Sequence, residues 1–478
     1  MKLLLLLTLL AVAFARFSIL SAQLSDVSAQ DGKGDTKYVS LAQWFTQRTD
    51  HFNDRDKRTW QQKFYMNQKF WDGKGCIILY IGGEGPLNNP PGDKSFVGTL
   101  AKEHNCLIVA LEHRFYGESI PTLGQPKALS AKNLELLNSR QALADLAHFI
   151  NSFKTNVTET TGNKHKVISV GGSYPGALSA WLRVRYPHLI DAAISSSGVV
   201  NSIVDFHAFD TAITEALGTV CSSQLRKVTH LFEEKMKTAK GKKECYDVFG
   251  MDKDYRSDDF WWLLADSQII PTQYSQKPRL CKILGNLEGQ ALFDAYKYYA
   301  REIFMKEYEP HGLCEYDSRC LANEEYVPGL SARQWYWQSC LELGWLQTAP
   351  AKDSIRSTQM DLDFFTKYCQ RSYFGGKNVP IVDDGTFINA QYGGDLPRAT
   401  NVIYVNHADD PWSVTSVRDH KKDTHDDIGE TNYRFFSTCE LNEGCGHCFE
   451  LHQDEPNDPP SIREVREKIR VVVRKWLL

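Results

Sequence analysis

The sequence lacks a strong excess of either charge, with 59 acidic residues against 55 lysines and arginines and a net charge of −4. Nucleic acids and anionic membranes attract strongly basic chains, so we expect neither as a partner. Beyond its first 14 residues the chain also lacks any apolar run near the ~20 residues that a transmembrane helix needs. It has no internal repeat. Function must therefore reside in a local site of this 478-residue chain, which is long enough for two or three domains.

The start of the chain predicts entry into the secretory pathway. Residues 1–22 combine a basic start, an apolar stretch and small residues suited to cleavage, which is the pattern of a signal peptide. Twelve cysteines suit an oxidising compartment, and Cys314 and Cys320 are near enough in sequence to close a small loop. Asn156 begins a glycosylation sequon. We therefore expect a secreted or lysosomal, glycosylated protein.

The segment G-G-S-Y-P-G at residues 171–176 is the most informative motif. It follows an apolar run at 167–170 and opens into a helix-like stretch. A serine on such a sharp strand-to-helix turn presents its hydroxyl to a base and to a carbonyl carbon, as in a nucleophile elbow. Pro175 stands where the G-x-S-x-G pattern has its second glycine. Ser173 is therefore the candidate nucleophile.

An α/β-hydrolase supplies its acid after the serine in chain order. Residues 401–406 are typical of a short buried strand, and the loop H-A-D-D-P-W follows them. Asp410 is the preferred acid because Pro411 restricts it towards extended backbone at the end of the strand. Asp409 remains an alternative.

The general base must follow the acid, and His447 is the preferred candidate. It comes shortly after residues 433–437, whose β-propensity predicts the last strand of the sheet. Two other histidines lie in the mixed charges of residues 418–427, which are typical of a solvated surface. The sequence thus predicts the chain order Ser173, Asp410 and His447.

A zinc site is an alternative reading of the same region. Cys439, Cys445, His447 and Cys448 could supply three thiolates and one imidazole to a tetrahedral metal. A secretory context favours disulfides instead, and a structural zinc would consume the imidazole that the serine needs. We therefore predict neither a metal nor a cofactor, with disulfides holding the histidine loop.

The predicted chemistry is nucleophilic acyl transfer. His447 would accept the hydroxyl proton of Ser173 and later give it to the leaving group, after which water releases the acyl group. The backbone N–H of Tyr174 is the natural first donor to the oxyanion. A glycine-rich turn after residues 77–81 predicts a second donor at Gly83 or Glu84. Glu84 could instead pair with a substrate amine.

The chain divides into a sheet domain and an insertion. Residues 37–200 alternate apolar strands with helical stretches, and strand signals return in residues 401–478. Residues 201–400 lack this alternation and carry aromatic-rich, helix-like pieces. We predict an α/β-hydrolase fold with a large, mainly helical cap inserted between the strand bearing the nucleophile and the strands bearing the aspartate and the histidine.

These segments together resemble a family of serine exopeptidases that comprises prolyl carboxypeptidase, dipeptidyl peptidase II and thymus-specific serine protease. The resemblance covers most of the chain after residue 22. It is carried by D-H-F-N at residues 50–53, G-G-E-G at 82–85, E-H-R-F-Y-G-E-S at 112–119, the serine turn, D-P-W at 410–412 and H-C at 447–448. The G-G-E-G turn and the segment around Trp181 are more similar to the thymus-specific branch. The resemblance implies that Ser173, Asp410 and His447 form the triad under a helical cap.

Three function classes follow from these residues. The leading hypothesis is a serine peptidase of the exopeptidase type, either a carboxypeptidase or a dipeptidyl peptidase, that cleaves short peptides, including cleavage after proline. A lipase or esterase on the same fold is the second, and a binding protein without catalysis is the third. The oligomeric state is open, with a homodimer among the alternatives.

Two further groups have alternative interpretations. Residues 112–114 could serve catalysis, but structural support through a pair between Arg114 and a carboxylate is favoured. The aromatic set could line a pocket for a flat proline ring or simply pack in the core. This set consists of Trp335, Tyr336, Trp337 and Trp345.

Overall fold

The computed structural model describes residues 41–307, 313–418 and 431–478. The predicted signal segment at residues 1–22 and the first residues of the predicted sheet domain, 37–40, lie outside these ranges. Eight strands form one sheet: β1 Gln43–Arg48, β2 Thr59–Asn67, β3 Ile77–Ile81, β4 Leu107–Leu111, β5 Val167–Gly172, β6 Ala192–Ser196, β7 Val402–His407 and β8 Tyr433–Ser437.

The strand order explains where the site lies. Across the sheet the order is β1-β2-β4-β3-β5-β6-β7-β8. Strand β2 is antiparallel to both of its neighbours, and the six strands β3 to β8 are parallel to one another. The carboxyl ends of parallel strands meet at one edge of a sheet, and ligands bind there in open α/β sheets. Side chains that follow β3, β5, β7 and β8 therefore converge although they are far apart in sequence.

Helices cover both faces of the sheet and make up most of the insertion. They are α1 Phe96–His104, α2 Ala131–Leu134, α3 Ser139–Thr161, α4 Tyr174–Arg185, α5 Ala208–Met236, α6 Ala239–Phe249, α7 Phe260–Gln273, α8 Lys277–Leu284, α9 Gly289–Tyr299, α10 Met305–Glu307, α11 Ser318–Leu321, α12 Ala332–Gln338, α13 Leu362–Phe374, α14 Thr386–Tyr392 and α15 Pro460–Leu477. Turns of π-helix at Ala300–Phe304 and Ser339–Leu343 extend α9 and α12.

The central strands are apolar on both faces because helices cover both. Leu79 and Val109 pack against α3 and α4, whereas Ile78 and Ile108 pack against α1 and α15. Continuous apolar strands of this kind are typical of parallel sheets buried between two helical layers. The predicted α/β-hydrolase fold with a helical insertion between β6 and β7 is confirmed.

The antiparallel strands β1 and β2 did not emerge from the sequence. Their residues, Q-W-F-T-Q-R and T-W-Q-Q-K-F-Y-M-N, mix polar and apolar side chains because β1 is the edge strand and β2 lies next to it, away from the centre of the sheet. In β1, half-buried and exposed residues alternate up to the buried Gln47. Such strands give a weaker signal than continuous apolar runs.

The insertion between β6 and β7 builds its own aromatic core. Phe232 of α5 contacts Phe260 of α7 and Phe293 of α9, with ring centroids 5.9 and 5.1 Å apart. Tilted and edge contacts of this kind add to the stabilisation from apolar burial. The insertion is mainly helical, and its division from the sheet at residues 200 and 401 stays a prediction.

Five disulfides join cysteines within the described residues. They are Cys76–Cys106, Cys221–Cys281, Cys314–Cys320, Cys340–Cys369 and Cys439–Cys445. The short loop between Cys314 and Cys320 is the closure that their spacing predicted. Cys245 and Cys448 are not in disulfides.

Asn156, the predicted glycosylation site, lies within α3. Asn138 caps the start of this helix by accepting a hydrogen bond from the N–H of Gln141 at 2.9 Å, and Gly162 ends it in the left-handed region. The Asn156 side chain is only 7% exposed. A glycan on its Nδ2 needs an outlet to solvent, so this burial disfavours glycosylation, which stays a prediction.

Arg114 has the structural role that its sequence context favoured. Its guanidinium donates to both carboxylate oxygens of Asp145 at 2.6 and 2.7 Å, and His51 contacts the same carboxylate at 2.7 Å. All three groups are buried or nearly so. A bidentate arginine pair of this kind fixes α3 against the segment after β4.

Glu342 links the insertion to α3 and makes stability depend on pH. It accepts hydrogen bonds from the Ser139 N–H at 2.9 Å and hydroxyl at 2.6 Å. Burial raises the pKa of Glu342 to about 7 from an ordinary 4.5. The folded protein therefore keeps a proton that the unfolded chain has released, and the free energy of unfolding falls as pH rises from 4.5 to 7, by about 3 kcal/mol.

Replacing Glu342 with glutamine is therefore expected to flatten the pH dependence. Urea unfolding at pH 5 and pH 8 measures it, with a smaller loss of free energy in Glu342→Gln than in the wild type. Glu464→Gln, at an ion pair on the surface of α15, is the control and keeps the wild-type dependence. Equal pH dependence in Glu342→Gln and the wild type would contradict the assignment.

In residues 41–307, 313–418 and 431–478, no helix combines the length and apolar character that spanning a membrane requires.

Candidate active site

Ser173 stands at the turn between β5 and α4. Its backbone has φ 65° and ψ −132°, a left-handed conformation that is rare outside glycine. The surrounding sheet holds this strain, since the Ser173 N–H donates to the Ser196 carbonyl of the neighbouring strand at 2.9 Å. This is the geometry that the serine motif predicted, with the hydroxyl carried beyond the carboxyl end of β5.

Pro175 fits the turn because Gly176 takes over the close packing. A Cβ at Gly176 would lie 2.7 Å from the Ser196 carbonyl oxygen, so only glycine lets α4 approach β6 this closely. Gly171 meets the Pro175 carbonyl in the same way, at 2.1 Å from an added Cβ. The motif therefore departs from G-x-S-x-G without loss of the turn.

The glycine-rich turn after β3 lies against the serine turn. A Cβ at Gly83 would approach Pro175 Cγ to 2.6 Å, and Glu84 lines the same cavity as Ser173. Tyr174 is the first residue of α4, where backbone N–H groups have no acceptor within the helix. The predicted oxyanion donors, Tyr174 with Gly83 or Glu84, therefore flank the serine.

Asp410 lies directly after β7 and faces His447. Its backbone is extended, with φ −86° and ψ 109°, as the following proline predicted. One carboxylate oxygen, Oδ1, accepts the Trp412 N–H at 3.0 Å, and the other, Oδ2, lies 2.9 Å from His447 Nδ1. The carboxylate is buried, so the contact is shielded from water.

Asp409, the alternative acid, is engaged elsewhere. Its Oδ1 accepts a hydrogen bond from Lys277 Nζ at 2.7 Å, and its Oδ2 accepts the Cys445 N–H at 3.2 Å. Lys277 begins α8, so Asp409 ties the insertion to the loop that precedes His447. The two aspartates therefore have different partners, Lys277 for Asp409 and His447 for Asp410, a distinction that the sequence alone left open.

His447 is held from both sides. Its backbone N–H donates to the backbone carbonyl of Gln273, at the end of α7, at 2.7 Å, and its imidazole contacts Asp410. Burial lowers the pKa of the imidazolium, but the Asp410 carboxylate and the Cys448 sulfur outweigh burial and raise it well above the usual value. The site therefore stabilises the protonated form that a general base reaches during acyl transfer.

The histidine loop and the serine turn meet on the end of β6. The Cys448 N–H donates to Ser197 Oγ at 2.9 Å, next to the Ser196 carbonyl that holds Ser173. A Cβ at Gly172, the residue before the serine, would lie 2.9 Å from Cys448 Sγ. The three predicted segments thus converge at one edge of the sheet.

Two of the four candidate zinc ligands, Cys439 and Cys445, form a disulfide. The described residues contain no group of three or more histidine, cysteine, aspartate or glutamate side chains placed to hold a metal ion. The disulfide closes the loop just before His447, as the alternative to zinc predicted.

A cavity of about 250 Å³ opens beside Ser173 between the sheet and the insertion. Nine of its lining residues are aromatic. Three residues of the aromatic set, Trp335, Tyr336 and Trp345, line it, whereas Trp337 packs against Tyr373 with ring centroids 5.4 Å apart. Trp412, which follows the acid, also lines the cavity and lies 6.5 Å from the His447 ring.

Sequence reasoning missed several polar residues of this cavity, among them Asp266, Glu315 and Gln347. Asp266 carried a usable signal, since an acidic side chain interrupts the apolar stretch F-W-W-L-L-A-D-S-Q-I-I of α7. Glu315 and Gln347 carried none, because only the folding of the insertion brings them to the cavity.

Comparisons with known proteins agree with this geometry. The family model described as "Serine carboxypeptidase S28" matches residues 47–469. The chain is 34% identical over 421 residues to "Probable serine protease EDA2" of Arabidopsis thaliana, covering 84% of this chain and 82% of that protein.

Two mouse proteins are also similar. "Thymus-specific serine protease" of Mus musculus is 29% identical over 462 residues, with 91% of this chain and 87% of that protein covered. "Lysosomal Pro-X carboxypeptidase" of Mus musculus is 26% identical over 480 residues, with 96% and 93% covered. The resemblance read from the motifs is confirmed. Since the family match spans the serine, aspartate and histidine segments, the chain belongs to the serine carboxypeptidase S28 family and is a serine-type peptidase.

Proposed function

We propose that this protein is a secretory-pathway serine exopeptidase that hydrolyses short peptides through an acyl-enzyme formed on Ser173. His447 acts as the general base and acid, and Asp410 orients its imidazole. The observation that carries the proposal is the contact of 2.9 Å between His447 Nδ1 and Asp410 Oδ2, beside the strained turn that bears Ser173. Membership of a serine peptidase family gives the coarser activity.

The proposed reaction has two steps. His447 Nε2 takes the Ser173 proton as Oγ attacks the scissile carbonyl, and then gives it to the leaving amine when the peptide C–N bond breaks. In the second step His447 takes a proton from water, the resulting hydroxide attacks the acyl-enzyme, and the proton returns to Ser173 Oγ. Asp410 keeps Nδ1 protonated throughout and stabilises the imidazolium that forms transiently within each step.

Charge on the carbonyl oxygen is stabilised by backbone donors. The Tyr174 N–H is one, at the positive end of α4. The N–H of Gly83 or Glu84 is the other, because Gly83 packs against the serine turn. The Tyr174 ring is fixed from below, since its hydroxyl accepts a hydrogen bond from Gln338 Nε2 at 3.0 Å and contacts His113 Nε2 at 3.1 Å.

The insertion restricts the substrate. A cavity of about 250 Å³ holds a few residues of an extended peptide and excludes a folded chain. Its flat aromatic walls at Trp335 and Trp345, stacked at 6.1 Å, suit apolar side chains and the proline ring. Cleavage after proline therefore belongs to the proposal.

Secretion or a lysosomal location follows from the leader and is supported by five disulfides. A homodimer stays a prediction.

Labelling with a fluorophosphonate tests the proposal. We expect the purified protein to be modified at Ser173, found by peptide mass spectrometry, and to lose peptidase activity in step with labelling. It should cleave the members of a short-peptide library near one end and leave folded proteins intact. Hydrolysis of long-chain acyl esters without any peptide cleavage would indicate the lipase hypothesis, and absence of labelling in folded protein would contradict both.

A further inference from the structure

The cavity contains a polar group that the proposed mechanism does not use. Asp266 and Glu315 line it together with Gln347, and all three offer oxygen acceptors. The described residues that line the cavity include no lysine, arginine or histidine. An acidic, aromatic cavity without cations of its own selects a ligand that brings positive charge.

Gln347 indicates that a hydrogen-bond donor is missing from this group. Its side chain is 8% exposed, and Oε1 has no partner among the described residues. A buried amide oxygen without a donor is unfavourable, so such atoms in native proteins are normally satisfied. A ligand N–H in the cavity would supply the missing donor.

The raised pKa of Asp266 agrees with this reading. Burial, together with the neighbouring Glu315, raises the pKa of Asp266 to about 7. Arg356 and a hydrogen bond from Tyr316 act in the opposite direction, but Arg356 Nε is paired with Asp210 at 3.1 Å. A positive group beside Asp266 would favour the ionised form of this carboxylate.

Aromatic rings complete the surroundings of this group. Trp262 lies one helical turn before Asp266 on α7, and its ring centroid is 5.7 Å from that of Tyr336 and 6.4 Å from that of Tyr368. Tyr368 donates its hydroxyl hydrogen to the backbone carbonyl of Glu315. All three rings line the cavity, and aromatic faces attract cations. The disulfide Cys314–Cys320 closes the loop that bears Glu315.

We propose that Asp266, Glu315 and Gln347 form an ammonium-binding subsite whose ligand is the free amino terminus of the peptide substrate. The inference rests on the proposed function and deepens it, because it assigns the enzyme to trimming from the amino-terminal end. The ammonium group donates to the two carboxylates and to Gln347 Oε1, with the aromatic rings around it.

Helix α7 sets the distance between this subsite and the reacting groups. Gln273, whose carbonyl accepts the His447 N–H, lies seven residues after Asp266, and the helical rise makes this roughly 10 Å along the axis. Two extended residues span about 7 Å, and a charged hydrogen bond adds about 3 Å. The subsite therefore selects cleavage after the second residue.

Three coumarin amides, each with 7-amino-4-methylcoumarin as leaving group, test the inference: Ala-Ala, acetyl-Ala-Ala and acetyl-Lys-Ala. The third separates a side-chain ammonium from a terminal one. We expect kcat/KM for Ala-Ala to exceed that for acetyl-Ala-Ala about 100-fold, because two charged hydrogen bonds are lost on acetylation. Acetyl-Lys-Ala should be cleaved no better than acetyl-Ala-Ala.

Asp266→Asn and Glu315→Gln keep the shape of each side chain and remove its charge. Each is expected to raise KM for Ala-Ala about tenfold while kcat stays within about twofold, and to leave acetyl-Ala-Ala turnover unchanged. That turnover and the rate of Ser173 labelling report an intact fold. Asp294→Asn, on the exposed face of α9, is the matched control and keeps the preference for the free amine.

Calorimetry on Ser173→Ala provides a readout without catalysis. Ala-Ala-amide should bind about 100-fold more tightly than its acetylated form, and Asp266→Asn in the same background should reduce this difference about tenfold. Equal binding of the two amides would overturn the subsite. A preference for the free amine that keeps its full size in both Asp266→Asn and Glu315→Gln, or that disappears in Glu84→Gln instead, would do so as well. Cleavage of peptides without any amine preference overturns the subsite alone, whereas amine-selective binding without cleavage overturns only the proposed function.

Discussion

Replacing Ser173 with alanine is expected to lower kcat for peptide hydrolysis by about a million-fold, to the level that binding and the oxyanion donors support without a nucleophile. The variant should fold normally, because within the described part of the chain the Ser173 hydroxyl makes no cap hydrogen bond to the turn, and the backbone contact to Ser196 holds the strain. Steady-state kinetics with a short peptide measure the loss. Fluorophosphonate should no longer label the chain.

Ser416→Ala is the matched control for this experiment. Ser416 is also buried and lies just after the turn that follows Asp410, but its hydroxyl has no partner among the described residues. We expect wild-type kinetics and labelling from it. Residual activity of Ser173→Ala within a hundredfold of the wild type would show that another group attacks the carbonyl.

Replacing Asp410 with asparagine is expected to lower kcat by about ten-thousand-fold with little change in KM. The amide cannot hold Nδ1 of His447 in the protonated tautomer or stabilise the imidazolium, although it keeps the size of the side chain. The pKa of His447 should fall, because the Asp410 carboxylate is what raises it against burial. Imidazole NMR on the variant and the wild type measures that fall independently of turnover.

Asp409→Asn gives the contrasting result that identifies the acid. It leaves Lys277 Nζ as an uncompensated charge in a site where both side chains are 3% exposed. Breaking a buried ion pair in this way costs about 3 to 5 kcal/mol of unfolding free energy. We expect a strong fall in Tm with kcat retained within about tenfold at low temperature. A ten-thousand-fold loss in Asp409→Asn with activity kept in Asp410→Asn would reverse the two roles.

Local sequence was enough to find the strands that carry the site. Residues 167–170 and 401–406 announced β5 and β7 because their apolar runs are buried on both faces, and the glycine, proline and helix signals around Ser173 marked the turn. Chain order then selected the acid and the base, since an α/β-hydrolase places them on later strands.

The rest depended on contacts that no local pattern encodes. The difference between Asp409 and Asp410 comes from Lys277, 132 positions earlier in the chain. The disulfide pairings Cys221–Cys281 and Cys340–Cys369, and the meeting of Asp266 with Glu315, likewise come from the packing of the insertion. Burial of Asn156 was equally hidden, because a sequon reads the same on either side of a helix.

Helix α7 and the segment after it are hydrogen-bonded to the histidine loop. The insertion therefore helps to position the candidate base as well as covering the cavity. The Gln273 carbonyl receives the amide hydrogen of His447, and Ser275 Oγ receives that of Gly446 at 2.8 Å. A movement of the insertion that displaces Gln273 or Ser275 would therefore also displace the loop that carries the His447 imidazole. Entry of the peptide and readiness of the base are mechanically linked through two backbone amides.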